Sequence, residues 1–148
     1  MKDKKTMINQ EEARMADCIF CKLANGEIPT AKLYEDEHFA VICDANPATK
    51  GHALILPKAH YANLLELPDE LVEESFVLAK KMAGRMKEKL GCDGINIVQN
   101  NGQEAGQTVF HFHVHIIPRY AGGGRFVANW TQGVLTDEVR EELVAKLS

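Results

Sequence analysis

Short runs of alternating apolar and polar residues fill much of the chain, interrupted by one long stretch of helical period. Leu33-Tyr34-Glu35 and Phe39-Ala40-Val41-Ile42-Cys43 read as two strands, and Asp36-Glu37-His38 between them predicts a tight hairpin. A loop with Asn46, Pro47 and Gly51 leads into a third strand, His52-Ala53-Leu54-Ile55-Leu56, stopped by Pro57. Ile95 to Asn100 reads as a fourth strand, and the run 111–117 as a fifth. Asp17 is placed to cap a short helical turn over Cys18 to Leu23, closed by Gly26 and Pro29. Pro68-Asp69-Glu70 opens the one long helix, with proline in its first turn and two acids at the positive end of its dipole. Val72, Phe76, Ala79, Ala83, Met86 and Leu90 form its expected apolar stripe, and Gly91 marks its end. Thr136 should cap a C-terminal helix with Val139, Leu143 and Leu147 on one stripe. Successive strands with short links predict an α+β fold, a five-stranded antiparallel sheet with its helices on one side.

The first fourteen residues break this pattern. They are charged, short of large apolar side chains, and read as a flexible extension, leaving 15–148 as one domain. A chain of 148 residues can bury a real core without disulfides. Its net charge of −4, with no face rich in Lys and Arg, argues against a general nucleic-acid binder. No apolar run approaches the roughly 20 residues that span a bilayer, and the N-terminus lacks a signal-peptide core. Neither nucleic acid nor membrane is therefore an expected partner, and the cytoplasm is the expected location. There the cysteines at 18, 21, 43 and 92 would stay reduced unless a metal holds them.

Candidate chemistry concentrates in His111-Phe112-His113-Val114-His115-Ile116-Ile117. On a strand, every-other-residue spacing puts all three imidazoles on one face, roughly 6–7 Å apart, with Phe112, Val114 and Ile116 facing the core. Imidazole titrates near neutrality, so a neutral ring can attack phosphorus while a second donates to the oxygens where charge builds. The same row could instead ligate a catalytic metal. Cys18-Ile19-Phe20-Cys21 has three readings: thiol redox, half a zinc site, or coincidence. A zinc reading would complete the site with His60 and one histidine of the row, a closed and structural site with no open position for water. Cys43 and Cys92 read as ordinary small residues. The loop from Asn100 to Val109 carries glycines that permit close backbone approach, and Gln107 and Thr108 supply donors beside the first histidine. Asp44, at the end of the second strand, reads either as a turn-forming acid or as a carboxylate for the two hydroxyls of a ribose. His38 reads as merely exposed.

Taken together, these residues resemble the histidine-triad (HIT) family of nucleotide hydrolases and transferases. The run 111–117 fits the family signature, three histidines alternating with apolar residues, at every position. Asp17 to Lys22 with Gly26-Glu27-Ile28-Pro29, then Asp44, Pro47 and Gly51 to Lys58, are similar to the family's N-terminal and central segments, so the resemblance spans about residues 16–120. It implies that His113 is the nucleophile, forming a nucleotidyl-histidine intermediate at the α-phosphorus, and that His115 contacts phosphate oxygens. Asn100, Gln107 and Thr108 match positions that bind the phosphate or the departing group, and Val109 offers a backbone N–H. Asp44 would hold the ribose, Ile19, Phe20, Leu23 and Ile42 would line the base pocket, and His52 would support the triad from the adjacent strand. Zinc-bearing members place ligands at positions matching Cys18, Cys21, His60 and His111, which implies a structural zinc and no catalytic metal. Pro118-Arg119 departs from the Gly-Gly ending of the phosphoramidase branch and leans towards the bacterial type. A purine nucleotide substrate and a homodimer are further implications. The alternatives are a metal-dependent hydrolase using all three histidines and a non-catalytic, zinc-stabilised nucleotide-binding module.

Overall fold

The computed structural model of the protein describes residues 15–124, 126 and 131–148. The expected N-terminal extension, 1–14, lies outside the described residues. Five strands form one sheet: β1 (Lys32–Glu35), β2 (Phe39–Cys43), β3 (Ala53–Pro57), β4 (Gly94–Val98) and β5 (Val114–Arg119). They lie in the order β1-β2-β3-β5-β4, and every neighbouring pair is antiparallel. Among the described residues the α-helices α1 (Ile19–Ala24), α2 (Asp69–Leu90) and α3 (Asp137–Leu147) accompany them, together with helical residues at 15–17 and a 3-10 turn at Gln103–Ala105. The expected fold class is the observed one.

The period-2 alternation of β2, β3 and β5 divides the interior in two. Phe39, Val41, Ala53, Ile55, Val114 and Ile116 face α2, packing on Leu78, Ala79, Met82 and Met86. Ala40, Ile42, Leu54 and Leu56 face the other way and are covered by α1, through Ala24, Phe20 and Leu23. The helices thus cover both faces rather than one, and the face under α1 carries the candidate chemistry.

Several local expectations are realised with their predicted causes. Asp36 Oδ1 accepts the N–H groups of His38 (2.9 Å) and Phe39 (2.7 Å), closing the β1–β2 hairpin. Gly91 ends α2 in the left-handed conformation, φ 64°. Thr136 caps α3 by accepting from Val139 N–H. The buried side of α2 is rotated from the predicted stripe. Ser75, Leu78, Ala79, Met82 and Met86 are buried, whereas Phe76 is 44% exposed and Leu90 leaves the core. Ser75 can replace a large side chain there because its hydroxyl donates to Val72 O at 2.8 Å, leaving no unsatisfied group against the sheet. The stripe of α3 exists as predicted, but Val139, Leu143 and Leu147 are exposed. His38 is exposed and paired, with Glu74 at 2.8 Å.

Candidate functional site

The fifth strand begins later than its sequence predicts, at Val114 rather than His111. Its pairing with β3 runs from Val114↔Ile55 to Ile116↔Ala53, and β3 ends at Pro57. Before that point the chain leaves the ladder: Phe112 N–H donates to Tyr61 O at 2.6 Å. His111 and His113 therefore precede the strand, and this lets the three imidazoles point to different tasks.

Each of the first two rings has its tautomer set by a backbone carbonyl, an obligate acceptor. His111 Nε2 donates to Pro57 O at 2.8 Å, which leaves a lone pair on Nδ1. That nitrogen lies 3.3 Å from Cys18 Sγ, 3.4 Å from Cys21 Sγ and 3.3 Å from His60 Nδ1, with Cys21 Sγ 3.3 Å from His60 Nδ1. The four ligand atoms lie within 4.8 Å of one another. A tetrahedral zinc ion needs nitrogen and sulfur ligands roughly 3.3–3.6 Å apart, so the donor set and its spacing fit that metal. Cys18 sits at the N-cap of α1, where its sulfur also accepts Cys21 N–H (3.3 Å), and the CxxC spacing brings both thiols to one side. Burial, then the hydrogen bond and charge of Cys18, and Glu27 push the Cys21 thiol up to about 12. Burial pushes His111 down to about 4 against the pull of the Pro57 carbonyl, with His60 and His113 adding to the depression. A divalent cation held there would reverse the shift at Cys21, favouring its thiolate, and would reinforce the neutral state of His111.

His113 Nδ1 donates to His111 O at 2.7 Å, which leaves Nε2 with its lone pair. The ring is buried and stacks edge-on with Phe20 at 5.0 Å and with His115 at 4.9 Å between centroids. Burial lowers its pKa, opposed by the His111 carbonyl and Asp44, which favours the neutral ring. His115 is held down to about 4 by burial and by the His113 and His52 rings, against Asp44. Burial also lowers His52, which Asp44 opposes. His52 Nε2 lies 2.9 Å from His115 Nδ1 and 3.4 Å from Asp44 Oδ2, and Ala48 N–H meets His52 Nδ1 at 3.0 Å.

These rings border a cavity of about 510 Å³. It brings together Phe20, Leu23, Ile42, Asp44, His52, Thr108, Val109, His113 and His115 from the predicted set. Asp44 is the turn-forming acid of its first reading, with Oδ1 accepting Asn46 N–H at 2.8 Å, and the same residue borders the cavity. Three predicted residues do not line it. Ile19 is 49% exposed on α1, and Asn100 lies half-buried beside the glycine loop. Gln107 is 2% exposed, its amide spent on backbone: Nε2 donates to Ala62 O (2.6 Å) and Val109 O (3.1 Å), and Oε1 accepts Gly102 N–H (2.8 Å). Thr30, Cys43, Asn46 and Leu54 also line the cavity and were not predicted. Leu54 was within reach of strand parity, two residues from His52; the others had no chemical signal of their own. A second cavity of about 530 Å³ shares Thr108 and Val109 with the first and is bordered by Asp17, Cys18, His60 and Glu66.

Comparison with known proteins agrees with this geometry. The family described as HIT domain matches residues 25–122, which include the loop, the β-sheet and all three histidines. The chain belongs to the HIT family. Among its HIT relatives, the protein hit of Bacillus subtilis is 47% identical over 114 residues, 77% of this chain and 79% of that protein. An adenosine 5'-monophosphoramidase of Saccharomyces cerevisiae is 39% identical over 136 residues, covering 89% of this chain and 84% of its own. A zinc-bound histidine triad family protein from Mycobacterium smegmatis has a related crystal structure, with TM-score 0.70 and 40% identity over 73% of this chain and 78% of that one. Among the described residues of this HIT protein, no helix is long and apolar enough to cross a membrane.

Proposed function

We propose that this HIT protein hydrolyses nucleotides at the α-phosphorus, through a nucleotidyl intermediate on His113. The observation that carries the reading is the hydrogen bond from His113 Nδ1 to His111 O, 2.7 Å, in a ring bordering the cavity. It leaves Nε2 as a neutral nucleophile at neutral pH, without any further base. Asp44 accepts the ribose hydroxyls, and Phe20, Leu23 and Ile42 enclose a purine. Nε2 attacks the α-phosphorus and forms a P–N bond, while the bond to the leaving group breaks and its electron pair departs with that group. Thr108, on the wall shared by the two cavities, donates to the departing atom, and the second cavity gives it room. His115 and the Val109 N–H hold the phosphate oxygens as charge builds. Water then attacks phosphorus and gives up a proton to solvent, the P–N bond breaks and its electron pair returns to His113, while the released group takes its proton from solvent.

The substrates are purine nucleoside monophosphates joined through P–N or P–O–P, consistent with the activity named for the yeast relative. Cys18, Cys21, His60 and His111 hold a structural zinc that ties α1 to the histidine run, and the chemistry needs no catalytic metal. Asn100 and Gln107 act by shaping the loop that carries Thr108 and Val109. The protein works in the cytoplasm as a homodimer, joined through the outer edge of β4, where Ile97 is 40% exposed. Nucleic acid and membrane are not partners. AMP release from adenosine phosphoramidate and from diadenosine polyphosphates, by wild type and His113→Ala, tests the reading. Loss of release in the variant is expected, and equal turnover by the two proteins overturns the mechanism.

A further inference from the structure

His52 does more than fill space beside the triad. A backbone N–H can only donate, so the contact from Ala48 N–H at 3.0 Å requires a lone pair on His52 Nδ1. A neutral imidazole carries one proton, which must then sit on His52 Nε2. That nitrogen lies 2.9 Å from His115 Nδ1 and farther, at 3.4 Å, from Asp44 Oδ2. His52 is therefore the donor and His115 Nδ1 the acceptor. The reverse arrangement would demand a His52 ring with two acceptor nitrogens, an imidazolate. A doubly protonated His52 would set two donors against each other at Ala48. Only one arrangement remains, and it places the proton of His115 on Nε2.

The loop that presents Ala48 N–H is held from outside the cavity. Thr49 Oγ1 donates to Pro118 O at 2.6 Å, Tyr120 Oη donates to Lys50 O at 2.7 Å, and His52 N–H closes back on Thr49 O at 3.2 Å. Gly51 adopts φ +97°, and a Cβ there would lie 2.7 Å from Leu90 Cδ1, so the turn is also packed against the end of α2.

We infer that Ala48 N–H and His52 form a tautomer relay, which keeps His115 neutral with Nε2–H as its one donor. The sequence order of effects is backbone amide, His52, His115, then an oxygen in the cavity that His115 borders. His52 is thus a positioning residue, and the origin of the relay is a main-chain group that no side-chain pattern reveals. The consequence for rate rests on the proposed phosphoryl chemistry. The tautomers themselves do not.

Long-range nitrogen–proton NMR of the histidine rings in the full-length, metal-loaded protein at neutral pH reads the relay directly. The expected result is Nε2–H with unprotonated Nδ1 on both His52 and His115. An Nδ1–H on either ring, or a cationic ring, overturns it. Two variants add a functional readout. His52→Leu should leave His115 a mixture of tautomers and lower kcat by about ten- to a hundred-fold, approaching the loss of one transition-state donor, with KM changed by less than about three-fold. His52→Gln, which retains an N–H donor at the Nε2 position, should restore the single His115 tautomer and most of kcat. A His52→Leu protein whose His115 remains wholly Nε2–H overturns the relay, as does a folded His52→Gln no better than His52→Leu. Correct wild-type tautomers in a protein that releases no AMP would instead reject the proposed hydrolysis and leave the relay standing.

Discussion

Replacing Gln107 with leucine should damage the fold before it damages the chemistry. The side chain is 2% exposed and satisfies three main-chain groups: Ala62 O, Val109 O and Gly102 N–H. Leucine conserves the bulk and removes every one of these bonds. A typical intramolecular hydrogen bond contributes about 1 kcal/mol net, and a fully buried orphan costs about 1–3 kcal/mol. Ala62, Gly102 and Val109 are only half-buried, so water can reach the freed groups and the lower figure applies. Three bonds then give a loss of about 3 kcal/mol, or a fall in Tm of roughly 10 °C for a domain of this size. Urea unfolding followed by circular dichroism should show a lower midpoint at unchanged slope. Activity should drop in proportion to the misplacement of Thr108 and Val109, with kcat and KM moving together. A Gln107→Leu protein as stable as wild type, yet inactive, would refute this account and make Gln107 a direct substrate ligand.

Other expectations follow from the same geometry. Gly51→Ala combines a positive φ with a Cβ 2.7 Å from Leu90 Cδ1 and 3.1 Å from Pro118 Cγ, so a loss of about 2–4 kcal/mol is expected from backbone strain and overpacking, measured by thermal unfolding. His115, held down to about 4 by burial and by the rings of His113 and His52, binds its proton later on acidification than it does unfolded. Its contribution to stability is complete above the unfolded value of about 6.5 and is lost as pH falls towards the folded one; urea midpoints should fall over that window, and less steeply in His115→Asn. Metal analysis of protein purified without added metal should find about one zinc per chain, absent in Cys21→Ser, with chelator lowering Tm in wild type alone.

Much of the fold was legible because its strands alternate cleanly. Phe39 to Cys43 reads as a strand with one side for each core layer, and Asp36 announces the hairpin by its capping chemistry. The α2 stripe was misplaced because periodicity weighs Phe76 above Ser75, whereas the sheet leaves room for a small, self-satisfied hydroxyl and not for a ring. The start of β5 was missed because the ladder ends where its partner meets Pro57, a tertiary event invisible in the histidine spacing. In the site, the alternating histidines and the CxxC were legible as chemistry, but spacing could not assign different tasks to His111 and His113. Two carbonyls, Pro57 O and His111 O, make that distinction. An amide beside a glycine loop is ambiguous until its partners are known, and those of Gln107 are main-chain groups.

The most direct test of the central claim is mass spectrometry of the protein quenched during turnover of adenosine phosphoramidate and then digested. The account predicts an adenylyl group on the peptide containing His113, located on that residue, and no such adduct in His113→Ala. Steady AMP release with the adduct on another residue, or its persistence in His113→Ala, would contradict it.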